Sequence, residues 1–188
     1  MNLEAWVLLA CALFCVGVYQ LRRPMTHLAL GGGLRARVMA VLCGVLVVVV
    51  VVFALAWPPR PVHSPLAPAL TLVLLVPLAE ELYFRGLLLD VLVRLVGKAA
   101  ALVASSLLFG LLHLPQGLLL PMTVLAVLLG LTALWTRSVV WAAALHVAWN
   151  ALAVIRVAPA DQRWALMLAG CVAIAALTLW GLVTRHGR

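Results

Sequence analysis

Residues 38–57 run for a full bilayer's thickness without a charged side chain, and six consecutive valines, Val47 to Val52, lie among them. In hydrocarbon every backbone N–H and C=O must find its partner within the protein, so a spanning segment is a helix or a strand of a closed barrel. About 20 apolar residues match the ~30 Å core as a helix, whereas barrel strands are about half that length. Comparable apolar segments cover residues 3–21, 66–96, 98–114, 118–135, 139–155 and 164–183. The whole chain is 67% hydrophobic and only 10% charged, against about a quarter charged in soluble domains. The expected fold class is therefore all-α: a polytopic transmembrane helical bundle of about seven spans. Residues 1–65 supply two spans and their loops, 66–157 a central core, and 158–188 a last span and basic tail.

Breakers separate the segments. A loop over residues 22–37 holds four arginines and Gly31–Gly33. "PPRPVHSP", residues 58–65, is a rigid connection. Residues 66–96 as one straight helix would be about 45 Å long, too long for the core. Tilt, a kink at Pro77 or a second half lying on the membrane surface each resolves the excess. The N-terminal run has the length of a signal sequence but no preceding basic region, which favours a retained first span. The four cysteines, Cys11, Cys15, Cys43 and Cys171, sit in apolar runs without metal-site spacing and read as small core residues.

The net charge of +8 is spread between the apolar runs rather than gathered in one patch. It is a topological signal, and no nucleic-acid partner is expected. With the N-terminus outside, inner loops hold nine basic residues (Arg22, Arg23, Arg35, Arg37, Arg94, Lys98, Arg137, Arg185 and Arg188) against three outside (Arg60, Arg156 and Arg163). The positive-inside rule then places the N-terminus outside and the C-terminus in the cytoplasm.

Once loops and ends are removed, few polar groups remain at membrane depth: Glu80, Glu81, Arg85, His113, His146 and Asn150. Such groups are costly and face a bundle interior or cavity. Glu81 and Arg85 stand at i and i+4, as do Phe109 and His113, and His146 and Asn150, on three segments. Each has a plain structural reading: a packing ion pair, a core histidine, interhelical hydrogen bonds. Glu80 is the residue those readings leave over, since position 84 is Phe.

A carboxylate beside a histidine in a polar cavity can activate water as a general base. A second histidine and an asparagine amide can donate to a developing oxyanion. Together these are the parts of peptide hydrolysis. No H-E-x-x-H, no G-x-S-x-G and no buried aspartate pair offers a competing protease chemistry. Two histidines and a glutamate could in principle hold a metal. A non-enzymatic transporter or scaffold, with Glu80 and the histidines as a proton or ligand relay, is the alternative of a different class.

"EELYFRG", "FGLLH" and "HVAWN" resemble, in order and separation, the E-E-x-x-x-R, F-x-x-x-H and H-x-x-x-N motifs of the CAAX prenyl endopeptidase and bacteriocin-processing (CPBP, or Abi) family of glutamic intramembrane proteases. The resemblance covers residues 66–155. It implies catalytic roles for Glu80 and His113, which activate water, and for His146 and Asn150, which form the oxyanion hole. Glu81, Arg85 and Phe109 support them, with Glu81 able to share the acid–base work. It implies no metal and no cofactor. Its partners are membrane lipids and the C-terminal segments of protein substrates, lipid-modified or anchor tails among them. A composition rich in Ala, Leu, Val and Arg with a single Lys suits a high-GC bacterium, hence an inner membrane. Among compact relatives the myxosortase type, which removes C-terminal anchor tails in protein sorting, fits best.

Overall fold

The computed structural model describes residues 34–56 and 65–183. The first expected span and the basic tail lie outside them. Among the described residues the fold is all-helical: α1 (Leu34–Ala56), α2 (Leu66–Glu81), a π-helical stretch (Leu82–Leu88), α3 (Leu89–Val96), α4 (Lys98–Leu112), a 3-10 turn (Leu114–Gln116), α5 (Leu119–Thr136), α6 (Val139–Ile155) and α7 (Ala160–Val183). Three of these, α1, α5 and α7, are long and apolar enough to cross a membrane. Helices α4 and α6 are apolar but shorter. The chain is an integral membrane protein.

Several expected boundaries move. Arg35 and Arg37 belong to the first turn of α1, and Asp161 and Arg163 to the start of α7, rather than to loops. The long stems of the exposed Arg35 and Arg37 let their charged heads reach water from inside a helix end, so charge alone misplaces that boundary. Pro77 does not end α2. Instead the 66–96 segment changes helix type after Glu81, and the Leu89 N–H donates to the Phe84 carbonyl five residues back. Gly97, at φ 80°, then separates α3 from α4.

The chain divides into two compact units, and the boundaries fall inside α2 and α6. One unit contains residues 29–78 and 143–188. Here α1 packs on α7, and its core joins Val50, Ala69, Val73, Ala151, Ile155, Ala158 and Leu166. The remaining face of α1 carries Val41, Val45, Val48, Val52 and Leu55, all exposed at alternating steps of four and three. That stripe is what a helix presents to lipid.

The other unit contains residues 79–142. In it α4 and α5 pair through the short turn at 113–118. Small residues permit the close approach: a Cβ on Gly110 would stand 2.9 Å from the Leu119 carbonyl oxygen and collide with Thr123. Leu89, Val93 and Ala101 anchor α3 against the start of α4.

Gly110→Ala should therefore lower stability by about 1–3 kcal/mol, the usual cost of overpacking. Gly44→Ala on α1, where a Cβ meets nothing within 4 Å, should leave it nearly unchanged. Thermal unfolding of the two purified variants in detergent checks both; equal melting temperatures would contradict the tight α4–α5 contact.

Candidate active site

The last turn of α2 and the π-helical stretch carry the first cluster. Glu81 and Arg85 are enclosed, with 0% and 2% of their side chains exposed, and Arg85 Nη1 donates to Glu81 Oε1 at 2.8 Å. Arg85 Nη2 donates to the Ala126 carbonyl of α5 at 3.0 Å. The guanidinium carbon lies 4.8 Å from the centre of the Phe109 ring and 5.8 Å from that of Phe84. Phe84 meets Phe109 edge-on at 5.0 Å. A guanidinium suits this place because its planar fork donates to two acceptors while its face stacks on an aromatic ring. Glu80, one residue earlier, is half-buried, and its charge also acts on Arg85.

Phe109 links this cluster to the second motif. Its ring stacks on His113 at 4.8 Å with a tilt of 32°, and its carbonyl is 2.9 Å from His113 Nδ1. A carbonyl oxygen only accepts, so Nδ1 carries the hydrogen, and in the neutral ring Nε2 is left as the acceptor. His113 itself is not in a helix. It caps α4 at φ −97°, ψ 6°, half-buried, at the head of the short turn. The expectation that it projects from within a span is corrected: α4 ends at Leu112, where the chain turns through Pro115 and Gly117 toward α5.

The third motif is carried by α6, in the other unit. His146 is buried. Asn150 is half-buried, and its Nδ2 donates to the Leu72 carbonyl of α2 at 2.8 Å. This engages one of the two amide hydrogens and fixes the direction of the group; the second remains for another acceptor. The structure thus joins Glu81, Arg85, Phe109 and His113 in one contiguous network, and Asn150 to α2 in another.

Among the described residues no group of three or more His, Cys, Asp or Glu side chains is placed to hold a metal ion. The serines behave as ordinary helix residues in one case only. Ser105 Oγ bonds back to the Leu102 carbonyl at 3.2 Å, while buried Ser106 Oγ has no partner among the described residues.

Sequence reasoning missed Phe84 and the carbonyls of Ala126 and Leu72. Phe84 has a signal, an aromatic side chain next to the buried arginine. The carbonyls have none, since any residue supplies one.

Ionisable groups held in an apolar helical protein, with hydrogen-bond donors and a histidine of defined tautomer, are parts that a membrane-embedded enzyme requires. Residues 61–152 match the family model described as type II CAAX prenyl endopeptidase Rce1-like. This segment contains all three motifs, so the chain carries a domain similar to the CAAX prenyl endopeptidases, and it is a protease. No curated protein and no solved structure matches the chain.

The buried pair predicts strong energetic coupling. Glu81→Gln or Arg85→Gln alone should cost about 3–5 kcal/mol, because each leaves an uncompensated charge or donor. The double variant should cost clearly less than the sum. A double-mutant cycle on stability in detergent measures this; additivity would show that the pair is not coupled.

Proposed function

We propose that this protease hydrolyses a peptide bond near the C-terminus of membrane-associated or exported protein substrates, using water activated by Glu80 and His113. The observation that carries the reading is the His113 tautomer. With Nδ1–H given to the Phe109 carbonyl, Nε2 is the ring nitrogen available to hold or receive a proton. In the proposed reaction the water gives one O–H to His113 Nε2 as a hydrogen bond, which orients it, while Glu80, as carboxylate, takes its other proton and the oxygen attacks the scissile carbonyl. His146 and the uncommitted Asn150 N–H donate to the resulting oxyanion. As the C–N bond breaks, the proton held by Glu80 passes to the leaving amine.

Glu81 is assigned to Arg85 rather than to chemistry, since its Oε1 already accepts from the guanidinium. The same reading takes residues 66–157 as the catalytic core and needs no metal. It places the enzyme in a bacterial inner membrane, N-terminus outside and C-terminus cytoplasmic. The substrates are C-terminal anchor tails of the kind removed by the myxosortase type. The family match favours hydrolysis over a proton or ligand relay.

Glu80→Gln, His113→Ala and His146→Ala should each lower processing by at least about a hundredfold, the scale of a lost general base or oxyanion donor. All three should still insert in the membrane, and a chelator should leave the wild type active. Membrane proteomes of wild-type and Glu80→Gln cells, compared for C-terminal tails that persist, identify the substrate. Normal processing by all three variants would exclude the mechanism.

A further inference from the structure

The unit that contains residues 79–142 has two unlike ends. Gly110 meets the start of α5, and a Cβ on Gly130 would strike Leu102, so α4 and α5 run antiparallel away from their shared turn. At the far end Leu134 of α5 packs on the cluster of Leu89, Val93 and Ala101 that joins α3 to the start of α4. Arg94, Lys98 and Arg137 gather at this end, all exposed, with exposed Trp135 beside them. Its one carboxylate, Asp90, is buried and accepts from Arg94 at 3.0 Å. Exposed cations with a tryptophan are what a helix end carries at a membrane surface.

The opposite end is the turn between α4 and α5. Residues 110–123 hold no Asp, Glu, Lys or Arg, and Leu114, Leu118 and Leu120 are exposed. The backbone of the turn is closed on itself. The His113 N–H donates to the Gly110 carbonyl, those of Gln116 and Leu118 to the His113 carbonyl, and that of Gly117 to the Leu114 carbonyl, at 2.9–3.2 Å. Pro115 has no N–H to satisfy, and Gly117 takes the left-handed conformation, φ 72°, that closes the turn. A turn below the membrane surface needs such internal satisfaction.

Helix length then sets depth. Helix α4 has 15 residues, which makes it about 22 Å long. With Lys98 at one surface of a ~30 Å hydrocarbon core, His113 on an upright α4 stands about 8 Å below the other surface. Glu80 is reached by a similar run: it stands seventeen residues before Gly97, and His113 sixteen after it. The contacts of Phe84 and Arg85 with Phe109 hold the two runs side by side. Hydrolysis needs water, and its short route to both residues is from the surface opposite the cations. Basic ends of membrane segments stay in the cytoplasm.

We propose that the site opens to the non-cytoplasmic face of the membrane and admits C-terminal peptide tails that have already been translocated, not tails presented from the cytoplasm. This rests on the reading of Glu80 and His113 as the hydrolytic pair.

The test labels cysteines in the full-length protein in native membranes, after Cys11, Cys15, Cys43 and Cys171 have been changed to Ala. A sulfonated, membrane-impermeant maleimide reacts where water reaches a thiol. It is added to vesicles sealed right side out and to vesicles sealed inside out. Gln116→Cys, at an exposed position on the turn, and His113→Cys should label in the first and lose that labelling in the second. Arg137→Cys should show the reverse. Gln116→Cys keeps the test valid should His113→Cys not insert. Labelling of any inserted variant from the wrong side, or failure of Gln116→Cys or an inserted His113→Cys to label from either, would overturn the proposal. Orientation is read without turnover, so this outcome is separate from that of Glu80→Gln, which tests hydrolysis itself.

Discussion

One buried ion pair sets the conditions for the first two motifs. Glu81 and Arg85 have been taken out of water, and their attraction offsets that desolvation only with good geometry and further hydrogen bonds. For Arg85 those conditions are met by groups far apart in sequence: the Ala126 carbonyl from α5 and the Phe109 ring from α4. The pair thus cannot form properly until α4 and α5 are packed beside the end of α2. That packing in turn needs Gly110, where a side chain would strike the start of α5. Charge, aromatic face and absent Cβ are separate requirements of one contact.

The same contact explains why Phe109 belongs with a histidine four residues later. Its ring serves two neighbours, Arg85 and His113, while its carbonyl sets the His113 tautomer. A smaller aliphatic residue would still fill space and keep the carbonyl. It would lose the attraction between guanidinium and ring and the stacking that limits imidazole rotation. Stability of the buried pair and orientation of the imidazole therefore meet in a single side chain.

Helical periodicity made much of this legible before any coordinates. The i, i+4 offsets of Glu81–Arg85 and Phe109–His113 are real contacts, and the limits of α6 agree with the apolar run from Val139 to Ile155. What periodicity could not reveal falls into two physical kinds. Backbone acceptors such as Leu72 and Ala126 have no side-chain signature, so the destinations of Asn150 and Arg85 were invisible. Changes of helix type are also silent, because the hydrogen bond shifts from four residues back to five without any Gly or Pro being obligatory. The π-helical stretch begins directly after the two glutamates, as such stretches often do at functional sites. Charges at helix ends mislead in the opposite direction: Arg35, Arg37 and Arg163 suggest loops, yet they lie inside helices.

Arg85 and Arg163 show how little residue type and burial say by themselves. Both are nearly inaccessible arginines in an apolar protein. Arg85 has a carboxylate, a carbonyl and an aromatic face within reach, so it is a structural element that needs no ligand. Arg163 stands at the positive end of its own helix, with Nε and Nη2 enclosed and without a hydrogen-bond partner among the described residues. Partner inventory, rather than burial, separates the two arginines.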